Sequence, residues 1–207
     1  MTIKRTFDIV LSVFGIAFAA VPLALIALVV RLTSPGPALH WSRRVGRDNQ
    51  IFWMPKFRSM QVNTPQLATH LLTGSDRFIT PVGKFLRRSS LDELPQFWSI
   101  LTGHMSFVGP RPALFNQDDL VAARTAQGVH QLPPGLTGWA QINGRDELSI
   151  PEKVELDAHY LIHRSFALDL KIMFLTAFKV CRRDGVAQAG EERTQRTTAD
   201  EASRTAA

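Results

Sequence analysis

A single cysteine, Cys181, is the only thiol among the 207 residues. This excludes a disulfide framework within the chain and a cysteine-rich metal site. Phe178 and Val180 set Cys181 in an apolar helical pattern, and the scarcity of thiols points to a reducing compartment. No Walker-type phosphate loop occurs, which argues against a P-loop kinase or ATPase, and no internal repeat recurs. Acidic residues are outnumbered, 18 against 24 Lys and Arg, giving a formal charge of +6 and a pI near 10.1. That balance points to an anionic partner: nucleic acid, an acidic membrane surface or a phosphorylated small molecule. From Glu191 to Ala207 no large apolar residue appears, so this stretch has nothing to bury and is expected to be disordered.

Charge is also missing from Ile9 to Val30, where Ser12 is the one clearly polar residue. About 22 such residues suffice to span a bilayer as a helix. A cleaved signal peptide is disfavoured, because the apolar run continues with Leu23, Leu25, Ile26, Leu28 and Val29 beyond the small residues Ala17 and Ala19. Lys4 and Arg5 precede the run and Arg31, Arg43, Arg44 and Arg47 follow it, so both flanks are drawn to the cytoplasm. Pro22, near the midpoint, removes a backbone donor and bends a helix. A straight span and a re-entrant helix hinged at Pro22 are comparable readings on these residues alone.

What is present downstream begins with a basic strip. Between Arg31 and Met60 stand Arg31, Arg43, Arg44, Arg47, Lys56 and Arg58 against Asp48 alone, a composition suited to lipid headgroups. Ser34-Pro35-Gly36-Pro37 ends the helix. The apolar stretches Ala38 to Trp41 and Ile51 to Met54 flank the turn residues 46 to 49, which spells a β-hairpin. Lys56 and Arg58 leave that hairpin and are candidates for substrate contact. Leu161 to Arg183 carries a helical apolar pattern broad enough for core packing or interfacial insertion.

The densest chemistry lies from Lys84 to Trp98. Ser90-Leu91-Asp92-Glu93 matches a capping box, and it equally sets two carboxylates at a helix start, since Pro95 is tolerated only in a first turn. Such a start favours anions, Arg87 or Arg88 can hold a phosphate there, and paired carboxylates bind Mg²⁺ alongside substrate phosphates. An aspartate so placed can also attack phosphorus. Two prolines bracket Arg111 and restrain its backbone. Gly135, Gly138 and Gly144 permit tight turns and close approach, by a ligand or by the chain itself.

Taken together, these stretches resemble the bacterial sugar transferase family, the monotopic phosphoglycosyl transferases, from about Lys4 to Gly185. Five motifs carry the resemblance: Ser34 to Pro37, Lys56 to Met60, Ser90 to Gln96, Val108 to Pro112, and Gly138 to Gln141 with Gly144-Arg145. The resemblance implies that Asp92 attacks the β-phosphate of a UDP-sugar and expels UMP, and that undecaprenyl phosphate then takes the sugar phosphate. It implies that Glu93, beside Asp92 at a Mg²⁺ site, serves Mg²⁺ or the incoming phosphate, and that Arg87, Arg111 and Arg145 steady phosphate groups with Lys56 nearby. Arg58, leaving the same strand as Lys56, is a further phosphate-binding candidate.

The implied fold is α+β and helix-rich. A re-entrant membrane helix hinged at Pro22 fills residues 1–33, a catalytic domain with a hairpin and amphipathic interfacial helices fills 34–190, and a tail fills 191–207. Family forms with extra spanning helices exist, and this chain reads as a minimal version. The implied setting is the cytoplasmic face of a bacterial inner membrane, with membrane lipids and downstream glycosyltransferases as partners, no nucleic acid, and exopolysaccharide or another glycan as the product line. Val21 stands where small members often have serine before the hinge proline, His104 where aspartate is usual, and Pro55 where an aromatic is common. His104 and Pro55 are the sequence basis for a rival reading, a membrane scaffold without catalysis. Nothing in the sequence selects the sugar.

Overall fold

The computed structural model describes residues 3–64, 75–144 and 148–182, so Arg145 and the expected tail lie outside the described residues. Seven α-helices and two small sheets are present among them, the α+β class expected. The first helix, α1 (Ile3–Thr33), runs through Pro22 without interruption. One of its faces, carrying Asp8, Ser12, Ala19 and Val30, is buried. Gly15 on that face meets the ring of Phe97, where a β-carbon would come within 2.8 Å. Residues 8, 19 and 30 recur every eleven positions, close to three helical turns, so a single stripe of α1 follows the protein body along its length. Phe14, Phe18, Val21, Leu25 and Leu32 face outward.

Polar contacts lock both ends of this helix to the body. Lys4 Nζ pairs with Asp169 at 2.6 Å and donates to the Val108 carbonyl, while Arg5 donates to the carbonyls of Ile100 and Leu101. The Phe107 amide donates to Asp8 at 3.1 Å. At the other end Arg58 donates to the carbonyls of Val30, Ser34 and Pro35, satisfying acceptors that a helix terminus leaves open. Lys4 and Arg5 are thus structural ties as well as basic flanks.

Strands β1 (Leu39–Val45) and β2 (Ile51–Phe57) pair antiparallel about a turn at Arg47–Asn49, each running past the C-terminal end of the apolar stretch expected for it. Helix α2 (Pro81–Arg88) is capped by Thr80, whose hydroxyl accepts from Gly83 N. A 3-10 turn at Leu91–Glu93 then leads into α3 (Gln96–Leu101). The capping-box reading of Ser90 fails. Ser90 has φ 58° and makes no side-chain cap, whereas a cap residue needs extended backbone. The same four-residue pattern is realised at Ser149 and Glu152, where Ser149 has φ −65° and ψ 164°.

Strand β3 (Ser106–Val108) runs parallel to β4 (Gly135–Thr137). Their crossing is so tight that a β-carbon at Gly135 or Gly138 would strike the backbone of Gly109, so these glycines serve chain-to-chain approach. Helix α4 (Asp118–Ala126), the short α5 (Trp139–Ile142) and α6 (Ile150–His163) follow, then α7 (Phe166–Arg182). The helix expected from Leu161 to Arg183 is therefore two pieces. The break falls at Arg164 and Ser165, where the Ser165 hydroxyl accepts from Leu168 N. The main core gathers Met54, Ile100, Val108 and Ile172 from β2, α3, β3 and α7, with Met105 from the link before β3.

Candidate active site

Four elements deliver the charged residues to one place. Hairpin strand β2 brings Lys56, the end of α2 brings Arg87, the 3-10 turn brings Asp92 and Glu93, and the segment after β3 brings Arg111. Glu93 Oε1 accepts from Lys56 Nζ at 3.2 Å and from Arg111 at 3.0 Å. Arg87 is oriented by a 2.9 Å hydrogen bond from its Nε to Ser59 Oγ. Asp92 is buried, and its carboxyl is pushed above the ordinary aspartate range by desolvation, against the opposing pull of Lys56 and, more weakly, Arg87 and Arg111. Burial likewise lowers the Lys56 ammonium, with Glu93 countering it. A nearly buried carboxylate pair ringed by three cations is a place built for an anion whose charge exceeds what the carboxylates offset.

The family model for bacterial sugar transferases matches residues 1–183. The chain belongs to that family. It is 44% identical over 185 residues to the UDP-glucose:undecaprenyl-phosphate glucose-1-phosphate transferase of Escherichia coli K12, covering 86% of this chain and 40% of that protein. It is 38% identical to the uncharacterized sugar transferase EpsL of Bacillus subtilis, covering 96% of each. The undecaprenyl-phosphate galactose phosphotransferase of Salmonella typhimurium is 36% identical over 203 residues, covering 88% of this chain and 41% of that protein. The chain thus spans about two fifths of the length of two of these relatives and nearly all of the third.

Of the residues singled out in the sequence, the chain gathers Lys56, Arg87, Asp92, Glu93 and Arg111. Arg58 stands apart: it is buried, and its guanidinium is taken up by the carbonyls at the end of α1, so it secures the helix and does not join the cluster around Glu93. Arg145 falls outside the described residues. Two residues were not assigned to the site from sequence. Arg44, read as headgroup-facing, reaches back to donate to the Pro112 carbonyl at 3.1 Å. His40 lies directly across the hairpin from Lys56, and burial together with Lys56 and Arg44 lowers its imidazole below the ordinary histidine range. The period-two alternation of a strand, which sets His40, Ser42 and Arg44 on one face, was the available signal.

Mg²⁺ held jointly with phosphates needs only one or two protein carboxylates, and Asp92 and Glu93 would be the residues to hold it. Glu93 already engages Lys56 and Arg111 through Oε1, so Asp92 is the principal protein ligand available to such an ion. No group of three or more His, Cys, Asp or Glu side chains suited to a metal occurs among the described residues.

Proposed function

We propose that the chain transfers a sugar 1-phosphate from a UDP-sugar to undecaprenyl phosphate, releasing UMP through a phosphoryl-aspartate intermediate. The observation that carries this reading is the buried Asp92 carboxylate within the charge field of Lys56, Arg87 and Arg111. A carboxylate oxygen of Asp92 attacks the β-phosphorus, the bond from that phosphorus to the bridging oxygen breaks, and UMP departs with the electron pair. An oxygen of undecaprenyl phosphate then attacks the same phosphorus, the acyl phosphate bond breaks, and the carboxylate returns. Two displacements at one nucleophile give ping-pong kinetics.

The cations hold the diphosphate and stabilise charge that builds on the leaving phosphate. Glu93 keeps Lys56 and Arg111 converged on the site. Mg²⁺, held by Asp92 with Glu93 beside it, would offset phosphate charge during approach. Relatives named for glucose and for galactose transfer support the reaction class and leave the sugar open.

The acceptor reading rests on the apolar outer face of α1. Both ends of α1 are tied to one folded body, which favours a helix that enters and leaves a membrane by the same face, the cytoplasmic one. Trp41 and Trp53 are exposed on the hairpin face whose neighbours Leu39 and Phe57 pack near Val30 of α1. Exposed indole rings beside an apolar helix suit a membrane interface, which supports this reading.

A UMP-release screen over UDP-glucose, UDP-galactose and UDP-N-acetylgalactosamine, with Mg²⁺ and undecaprenyl phosphate, tests the function. Release from at least one donor, abolished by Asp92→Asn, is expected. Full activity in the variant would sink the nucleophile assignment.

A further inference from the structure

The segment that carries Arg111 has an unusual way of being held. Pro110 and Pro112 lack amide hydrogens, so the chain on either side of Arg111 can be gripped largely through its carbonyls. All four successive carbonyls are taken. Pro110 O accepts from Gly135 N at 2.8 Å, Arg111 O from Arg124 at 2.8 Å, Pro112 O from Arg44 at 3.1 Å, and Ala113 O from Val45 N at 2.9 Å. Two of these donors are guanidinium groups. Arg124 is itself fixed: its Nε and a terminal nitrogen reach Asp157 Oδ2 at 2.9 and 2.6 Å, and the Asp157 side chain is 2% exposed.

We propose that Arg124, locked by Asp157, is a positioning residue that sets the place of the Arg111 guanidinium in the active site. A buried ion pair between α4 and α6 is not needed to join two helices, since apolar side chains serve that purpose as well. What an apolar pair cannot do is donate the third hydrogen bond, from Arg124 to the Arg111 carbonyl. The planar fork makes all three contacts at once, two to the carboxylate and one to the backbone. Lysine at this position would keep charge beside Asp157 without that simultaneous reach. The inference rests on the proposed role of Arg111 in holding substrate phosphate.

The test compares Arg124→Lys, the apolar pair Arg124→Met with Asp157→Leu, Arg111→Gln, and each Arg124 change combined with Arg111→Gln. Full-length detergent-solubilised protein is assayed by UMP release from whichever of UDP-glucose, UDP-galactose and UDP-N-acetylgalactosamine the wild type turns over fastest. Thermal unfolding is followed in parallel. Misplacing a phosphate-holding group is expected to lower kcat/KM roughly ten- to a hundredfold in Arg124→Lys. The apolar pair should show the same loss while unfolding within a few degrees of wild type. Neither change should lower activity further once Arg111→Gln is present, because the two then act through one group.

Wild-type kcat/KM in the folded Arg124 variants, alongside a loss in Arg111→Gln, would overturn the positioning role and leave the function standing. An equal further loss in the Arg111→Gln background would also overturn it. Unchanged activity in Arg111→Gln, or no UMP release by the wild type, would overturn the reading beneath it.

Discussion

Asp92 and Lys56 are displaced toward each other in acidity by the same cause, removal from water. In the proposed mechanism Asp92 attacks as the carboxylate, and its raised pKa then means that activity falls with acidification sooner than for an exposed aspartate. The lowered Lys56 pKa means that the ammonium is lost, and activity with it, at a pH below the ordinary lysine range. The kcat/KM profile should therefore be a narrowed bell, and Lys56→Met should remove its alkaline limb. A profile with an acid limb at an ordinary aspartate pKa would contradict the burial argument.

Arg58 gives the opposite kind of prediction. Arg58→Ala should destabilise the protein by about 2–3 kcal/mol in chemical unfolding, because it strips charged hydrogen bonds from carbonyls at the end of α1, while the KM for the UDP-sugar stays unchanged. A raised KM at wild-type stability would return Arg58 to the phosphate site. Sequence placed Lys56 and Arg58 alike because both leave the hairpin. Which one turns toward Glu93 depends on where α1 ends, and that is a tertiary fact. The two S-x-x-E patterns at Ser90 and Ser149 make the same point. The pattern is identical, and the backbone angle that decides capping is imposed at Ser90 by the end of α2 just before it.

Among the elements, the hairpin was legible because its apolar runs and turn residues agree. The glycine-bearing stretch at residues 135–138 was read as open to ligand or to chain, and the parallel pairing with β3 shows that chain wins at Gly135 and Gly138. The α6–α7 break was hidden because Arg164 and Ser165 are mild breakers inside a continuous apolar pattern, and the Ser165 cap acts only once the chain has turned. Helix α1 was legible as apolar, yet its packed stripe was masked by an outer face that is just as apolar. Gly15 is the sharpest probe of that stripe. Gly15→Leu should force α1 away from Phe97 and lower stability by about 1–3 kcal/mol in thermal unfolding. Leucine improves helix propensity at this position, so a stabilised variant would show that α1 does not pack there.

For the whole molecule, Lys4, Arg5 and Asp8 at one end of α1 and Val30 at the other are joined to a single folded body. Tags on both termini, in cells expressing the protein, should then be accessible only from the cytoplasmic side. A periplasmic N-terminus would require the Lys4–Asp169 pair to be broken and would refute the re-entrant topology.

In the proposed mechanism Asp92 carries the sugar phosphate between the two displacements. The most direct test of that role is mass spectrometry of the protein incubated with its UDP-sugar and Mg²⁺ in the absence of undecaprenyl phosphate. About one sugar-phosphate adduct per chain is expected, mapped to the peptide containing Asp92, discharged on adding undecaprenyl phosphate and absent from Asp92→Asn. Turnover with both substrates and no adduct at Asp92 would contradict that role.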